Sequence, residues 1–328
     1  MTDVMEFLRE LLKIPSPSGE ERQIGLFIAK RLKRNFSVKL QKVGSRFNIL
    51  ATKGTPKIIF AAHIDTVPGK LELKEDKKYI YGRGACDTKA SIASIIVAAE
   101  NAARCGIKNF GLLFDVSEET DFSGIKQAVK LVKPKFVIVG EPTQLKFVTG
   151  QKGLLGFKVI ARGKAAHGST PENGKNAIEL LFKEIEKLRA INLSKGTTTN
   201  IGRIEGGKQA NVVPDYAEAI IEIRTMPKDS NLFAKIKANV KGARLLYDFK
   251  PKKLDNRELA SLFKRGITVP YFTEMYFWDN AIVIGPGNPA YAHSENEKVR
   301  IVEVEKAVKI YLMLLKNYLN IKQQRSII

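Results

Sequence analysis

His63, Asp87, Glu119, Glu141 and His293 form a mixed imidazole and carboxylate set, the donor chemistry of zinc and its neighbouring divalent metals. Three acids and two imidazoles exceed what one tetrahedral ion takes while keeping a position open for water. They suit two ions about 3.5–4 Å apart that share a bridging carboxylate. Asp87 ends the turn Tyr81-Gly-Arg-Gly-Ala-Cys-Asp, whose glycines permit a backbone path able to aim one carboxylate between two metals. Glu118 and Glu119 are adjacent, and neighbouring side chains near a strand end point in different directions. One can ligate while the other works on water. Glu119 is the expected ligand and Glu118 the expected general base, taking a proton from water that the metal has acidified. Asp65, two residues after His63, is placed to hold the imidazole in its ligating tautomer.

These residues follow short apolar runs. Residues 58–62, 110–114, 136–139 and 281–284 are continuously hydrophobic, which predicts strands covered on both faces in a mostly parallel sheet. The runs lead into His63 and Asp65, into Glu118-Glu119, into Glu141, and into a Gly/Pro loop reaching His293. Ligands of open α/β sheets bind beyond the carboxyl ends of the strands, so the four ends are expected to converge. Residues 90–103 read as a buried crossover helix and residues 4–12 as the first helix. A second helix is expected after Ser18 as its cap, with Glu20 and Glu21 in the first turn.

A different pattern occupies the middle of the chain. Strands at 155–162, 198–204, 216–224 and 244–249 alternate with helices at 176–188 and 231–240, in the βαββαβ order of a ferredoxin-like unit. The fold class is therefore α/β: a mostly parallel sheet domain at 1–152 and 256–328, interrupted by an inserted α+β lid or dimerisation domain at 153–255. A C-terminal helix over 302–319 completes the first domain.

Composition bounds the function. The 328 residues predict two domains, and 44% hydrophobic content excludes wholesale disorder. No apolar run approaches the ~18 residues of a membrane span, and acids among the first twenty residues argue against a secretory signal. Cys86 and Cys105 alone make no disulfide framework. A soluble, cytoplasmic protein is expected. With 55 Lys+Arg against 34 Asp+Glu the formal charge is +21, which favours an anionic partner or serves solubility. The most basic stretch, Arg22 to Lys57, carries no acid. It also lacks a nucleic-acid motif and spreads Phe27, Phe36 and Phe47 like core positions. Neither nucleic acid nor membrane is the expected partner.

Five ordered segments carry a family resemblance: His63-Ile-Asp-Thr-Val-Pro, Gly82-Arg-Gly-Ala-Cys-Asp-Thr-Lys, Ser117-Glu-Glu, Gly140-Glu-Pro-Thr and Ala292-His-Ser-Glu-Asn-Glu. Together they resemble the dinuclear-zinc M20 metallopeptidases along the whole chain. The resemblance implies two Zn²⁺ ions, replaceable by Co²⁺ or another divalent metal, with Asp87 bridging. It places His63 and Glu141 on one ion, Glu119 and His293 on the other. Ala165-Ala-His-Gly-Ser-Thr-Pro is similar to the lid motif whose histidine stabilises the oxyanion, often across a homodimer; here that is His167. Asn211, in Asn211-Val-Val-Pro, and Arg224, in Glu222-Ile-Arg, look like the lid residues that hold substrate. Arg224 would grip an α-carboxylate, a group that a guanidinium matches in two-pronged fashion. The exposed edge of the lid sheet is the natural place for a dimer contact.

Within the family, Ile14-Pro-Ser-Pro-Ser-Gly-Glu-Glu, Glu141-Pro-Thr and the compact length look most like one branch. It is related to acetylornithine deacetylase and succinyl-diaminopimelate desuccinylase. Its members release lysine or ornithine from the γ-carboxyl of a C-terminal glutamate on a small, acidic amino-group carrier protein. A charge of +21 suits such a partner. A small-acyl deacylase, dipeptidase or carboxypeptidase is the alternative. Cys86 and Trp278 read as packing residues. Phe272-Thr-Glu-Met-Tyr-Phe-Trp departs from the family's small, polar segment at this place.

Overall fold

Backbone with no polar face needs cover on both sides, and the four apolar runs meet that need together. In the computed structural model, which describes residues 3–263 and 265–324, they lie side by side and parallel. The spatial order is Phe110–Asp115, Ile58–His63, Phe136–Val139, Ala281–Val283. Every residue in them is buried. Parallel register brings His63 level with Asp115 and Ala61 level with Val139, so the carboxyl ends finish along one rim.

The sheet is parallel only at its centre. Ser37–Val43 and Arg46–Lys53 form an antiparallel hairpin whose second strand runs antiparallel to Phe110–Asp115. The outer strand exposes Lys39 and Lys42, and lysines on an edge strand oppose pairing with another chain. Part of the basic stretch is thus an edge.

Lys89–Arg104 is buried along nearly its whole length, with Ile92, Ala93, Ile95, Ile96 and Ala99 in the core. The hydroxyl of Ser94 donates to Ala90 O and Val304 O, which satisfies the polar atom inside that packing. The second helix starts later than its sequence suggests. It spans Arg22–Leu32, with Glu21 at the cap position and no side-chain cap bond. Ser18 does not cap it because its hydroxyl donates to Asp65 Oδ2 at 2.6 Å instead. The long helix Ile301–Gln324 follows the short strand Lys298–Arg300.

The chain divides into two units, one of Met1–Thr149, Leu254–Ile267 and Thr273–Ile328, the other of Gly150–Lys253 and Thr268–Phe272. In the second, Thr198–Gly206, Tyr216–Thr225, Gly153–Arg162 and Ala243–Phe249 form an antiparallel sheet in that spatial order. Helices Ala177–Arg189 and Leu232–Asn239 supply Leu181, Ile185 and Ile236 to its core, against Phe157, Ala219 and Ile221. Asn176 caps the first of them, accepting from the N–H groups of Ile178 and Glu179. Thr198–Gly206 is an edge, and every residue in it except Ile201 is exposed. No helix among the described residues is long and apolar enough to cross a membrane.

Candidate metal centre and active site

His63 is the last residue of its strand; Glu119 and Glu141 lie four and two residues past the ends of theirs. The structure brings them together with Asp87 and His293 as two overlapping groups. His63, Asp87 and Glu141 make one and Asp87, Glu119 and His293 the other, the ligand-type atoms of each lying within 4.8 Å of one another. Asp87 belongs to both. Its Oδ1 lies 3.0 Å from His63 Nε2 and its Oδ2 lies 3.2 Å from His293 Nε2. His63 Nε2 is 3.6 Å from Glu141 Oε1, and His293 Nε2 is 2.9 Å from Glu119 Oε1. A tetrahedral ion with ~2.0–2.1 Å bonds spaces its ligands about 3.3 Å apart, so these separations fit a divalent cation in each group. Glu141 Oε1 fits too: it is buried and has no hydrogen-bond partner.

Local structure explains how each group is held. Thr88 Oγ1 donates to His63 O at 2.8 Å, tying the Asp87 turn to the strand end. Gly84, at φ +84°, has no room for a side chain, since a Cβ would meet Lys89 Cδ at 2.9 Å. Asp65 does more than orient His63. The ring's Nδ1 lies 2.9 Å from the main-chain O of Asp65 and 3.4 Å from its Oδ1, so the carbonyl makes the tighter contact and fixes the tautomer. The Asp65 carboxylate instead accepts the N–H of Glu118 and of Glu119, each at 3.1 Å. It therefore sets the backbone from which Glu118 and Glu119 project.

The electrostatics suit a cation. Burial alone would lower the proton affinity of His63, but Glu141 and hydrogen bonds with Asp65 and Asp87 raise it well above the usual imidazole range. Hydrogen bonds with Asp87 and Glu119 push His293 up to about 10. Burial works against the charged Asp87, yet its hydrogen bonds to His293 and His63 hold it below the carboxylate range. A field that draws protons onto imidazoles this strongly also draws a metal, and the two compete. Burial, then the charges of Glu119, Asp87 and Asp65, push Glu118 well up, the direction that suits a carboxylate exchanging protons near neutral pH. Burial also pushes the Cys86 thiol up. Its Sγ lies 3.2 Å from Asn288 O, so it packs as a neutral thiol.

In the second unit, His167 is exposed, and the backbone N–H of Ser169 donates to its Nδ1 at 3.2 Å. Nδ1 is then an acceptor, and the neutral ring carries its proton on Nε2. Gly168 N–H donates to Asn211 O at 2.7 Å, which holds the His167 and Asn211 segments together. Arg224 Nη2 pairs with Glu222 Oε1 at 2.7 Å.

Sequence reasoning passed over three buried acids. Glu297 accepts backbone N–H groups of the Asp87 turn. Glu274 lies beside Asp115, both fully buried, and the two carboxyls are placed to hydrogen-bond each other once one is protonated. For Glu274 the only signal was its place in the segment Phe272-Thr-Glu-Met-Tyr-Phe-Trp, which departs from the family pattern. Burial pushes Asp115 up to about 6 and raises Glu274 as well. A carboxyl whose folded-state proton affinity is raised costs nothing while both states are protonated. Stability is lost as pH rises from about 4 to about 6, a penalty on the order of 1–3 kcal/mol. Glu274→Gln should therefore raise the melting temperature at neutral pH, with the gain over wild type shrinking towards pH 4. Thermal melts of both proteins across that range test this, and a pH-independent difference contradicts it.

Comparison with known proteins adds the family. Residues 149–250 match the model described as the peptidase dimerisation domain of M20 proteins. A probable carboxypeptidase of Aspergillus clavatus is 33% identical, over 97% of this chain and 89% of its own length. One from Aspergillus oryzae is 34% identical, over 95% and 89%. Among solved structures, the aminopeptidase PepT of Bacillus cereus superposes with a TM-score of 0.79 at 22% identity, covering 95% of this chain and 97% of its own. The M20 metallo-carboxypeptidase Sso-CP2 of Sulfolobus solfataricus gives 0.77 at 19%, covering 96% and 99%. The chain belongs to the M20 metallopeptidases, enzymes that hydrolyse peptide bonds at a dinuclear metal centre.

Proposed function

We propose that this enzyme is a carboxypeptidase-type amide hydrolase, releasing an amino acid whose α-carboxylate is free and whose amino group was acylated. The observation that carries this reading is the pair of ligand groups sharing Asp87, with Glu118 close enough to feel the charges of His63, Glu119 and Asp87. The names of the Aspergillus relatives support the carboxypeptidase specificity. His63, Asp87 and Glu141 hold one ion and Asp87, Glu119 and His293 the other. Zinc suits this nitrogen and oxygen donor set, and Co²⁺ or another divalent metal can substitute. When bound, the ions polarise the scissile carbonyl and acidify water.

The chain's own residues do the rest. Asp65 orients the Glu118-Glu119 backbone, and Glu118 takes the proton from the attacking water and passes it to the leaving amine. His167 Nε2–H donates to the developing oxyanion. Asn211 and Arg224 bind the substrate, Arg224 through its carboxylate. Glu222, now paired with Arg224, is about one-third exposed, so the exchange of partners costs little. Arg224→Ala should raise KM by about 10- to 100-fold, the loss of a charge-assisted contact worth on the order of 1.5–3 kcal/mol. A C-terminally amidated substrate should show the same KM with wild type and variant; a tenfold difference there contradicts the assignment. The exposed edge Thr198–Gly206 serves a homodimer, which light scattering of wild type and Ile204→Lys tests: dimer against monomer is expected.

The charge of +21 favours a narrower second reading. Lysine or ornithine held on the γ-glutamyl end of an acidic amino-group carrier protein is bonded as a carboxypeptidase substrate is: its α-carboxylate is free and its amine acylated. On that reading turnover of the acylated carrier falls steeply with salt while a small dipeptide's does not. Efficient dipeptide turnover with no release of lysine from the carrier leaves the carboxypeptidase reading alone.

A further inference from the structure

The segment that returns from His293 to the short strand Lys298–Arg300 is fastened to the Asp87 turn at several points. Glu297 is 1% exposed. Its Oε1 accepts the backbone N–H of Cys86 at 3.0 Å and of Asp87 at 3.1 Å. Its Oε2 accepts Arg83 Nη1 at 2.7 Å, and the same Nη1 reaches Ser294 O at 3.3 Å, next to His293. The main chain adds Gly82 N–H to Glu297 O at 3.2 Å. On the neighbouring residue, Lys298 Nζ sits over the rings of Tyr291, Tyr81 and Tyr79, at 4.7, 5.3 and 5.1 Å. Tyr291 precedes His293 by two residues. His293 itself has φ +60° and a side chain 52% exposed, so little packing holds it.

The two ligand groups differ in what else holds them. His63 ends a fully buried strand, and Glu141 follows another by two residues. His293 stands in a loop. We propose that Glu297 is a positioning residue that registers the Asp87 turn against the His293 loop, so that the ion shared by Asp87, Glu119 and His293 depends on it more than the other ion does. Losing Glu297 lets Asp87 shift, but the first group retains two ligands on rigid strand ends. The second group loses the register of both Asp87 and His293 at once. The inference rests on the dinuclear reading of the site.

Its test is metal affinity rather than turnover. The metal-free protein is titrated with Zn²⁺ by calorimetry under chelator competition, and with Co²⁺ by visible absorption. Wild type should take two ions. Glu297→Ala should weaken the second by about 10- to 100-fold, the usual effect of a partner that orients a metal ligand, and leave the first within about threefold. Glu297→Gln keeps an amide oxygen for the N–H groups of Cys86 and Asp87 and should recover most of the loss. If Glu297→Ala does not fold, Arg83→Gln replaces it: that variant keeps the two backbone contacts of Glu297 and should weaken only the second ion, by several-fold. Equal weakening of both ions, or of neither, overturns the inference while leaving the dinuclear centre standing. A wild type that takes fewer than two ions removes the centre itself and the inference with it.

Discussion

Glu118→Gln should lower kcat by about 10²- to 10⁴-fold, the range for losing a positioned general acid–base group, with both metals retained. Gln has the size of Glu but cannot take a proton, and no metal-sized group of donor atoms among the described residues includes Glu118. Its backbone N–H still meets Asp65 Oδ1, so the substitution leaves the local frame intact. KM should change little, because the lost interaction is made while protons move rather than while substrate binds. Metal analysis beside steady-state kinetics on a dipeptide checks both halves. Full activity contradicts the base assignment, and loss of metal makes Glu118 a ligand.

Asp87→Asn should remove more still. One carboxylate oxygen faces each histidine, so Asp87 would bring its negative charge between two cations, which repel each other strongly at the ~3.5–4 Å of a dinuclear site. An amide offers one weak oxygen acceptor and no charge. Residues that only orient a metal ligand cost 10- to 100-fold in affinity or activity when changed. A bridging ligand should exceed ~100-fold on that scale, with the metal content falling from two ions to one or none. The measurement is metal per chain after dialysis. Two ions retained at wild-type affinity would show that Asp87 does not bridge.

Much of this was legible in the residues. Continuous apolar runs point to buried parallel strands, and the polar residues just past each run mark the rim where ligands gather. The edge hairpin was harder to see, since its outer strand alternates and exposes Lys39 and Lys42. Those residues read as a basic stretch rather than as a strand. Ser18 illustrates a different limit. A serine ahead of an amphipathic segment suggests a cap, but its hydroxyl can be spent once, and Asp65 takes it. Asp65 similarly has two oxygens and a carbonyl, and sequence spacing cannot tell which of the three meets His63. Glu297 stood inside a recognised segment without a role, because what it binds is backbone more than 200 residues earlier. Glu274 and Asp115 were invisible as a pair for the same reason, their approach being a product of the tertiary fold.

The order of strands in the first sheet has a consequence for synthesis. Ala281–Val283 pairs with Phe136–Val139, yet the whole of Gly150–Lys253 is translated between them. A growing chain therefore carries Phe136–Val139 with its outer side unpaired while the inserted unit, contiguous in sequence, can fold behind it. Pairings this distant in sequence are slow to form and leave unpaired strand edges open to aggregation meanwhile. His293 and Glu297 leave the ribosome later again. A nascent chain that has passed residue 253 already holds His63, Asp87 and Glu141 but not the completed pair of ligand groups. Hydrolytic competence is thus withheld until the chain has emerged past His293.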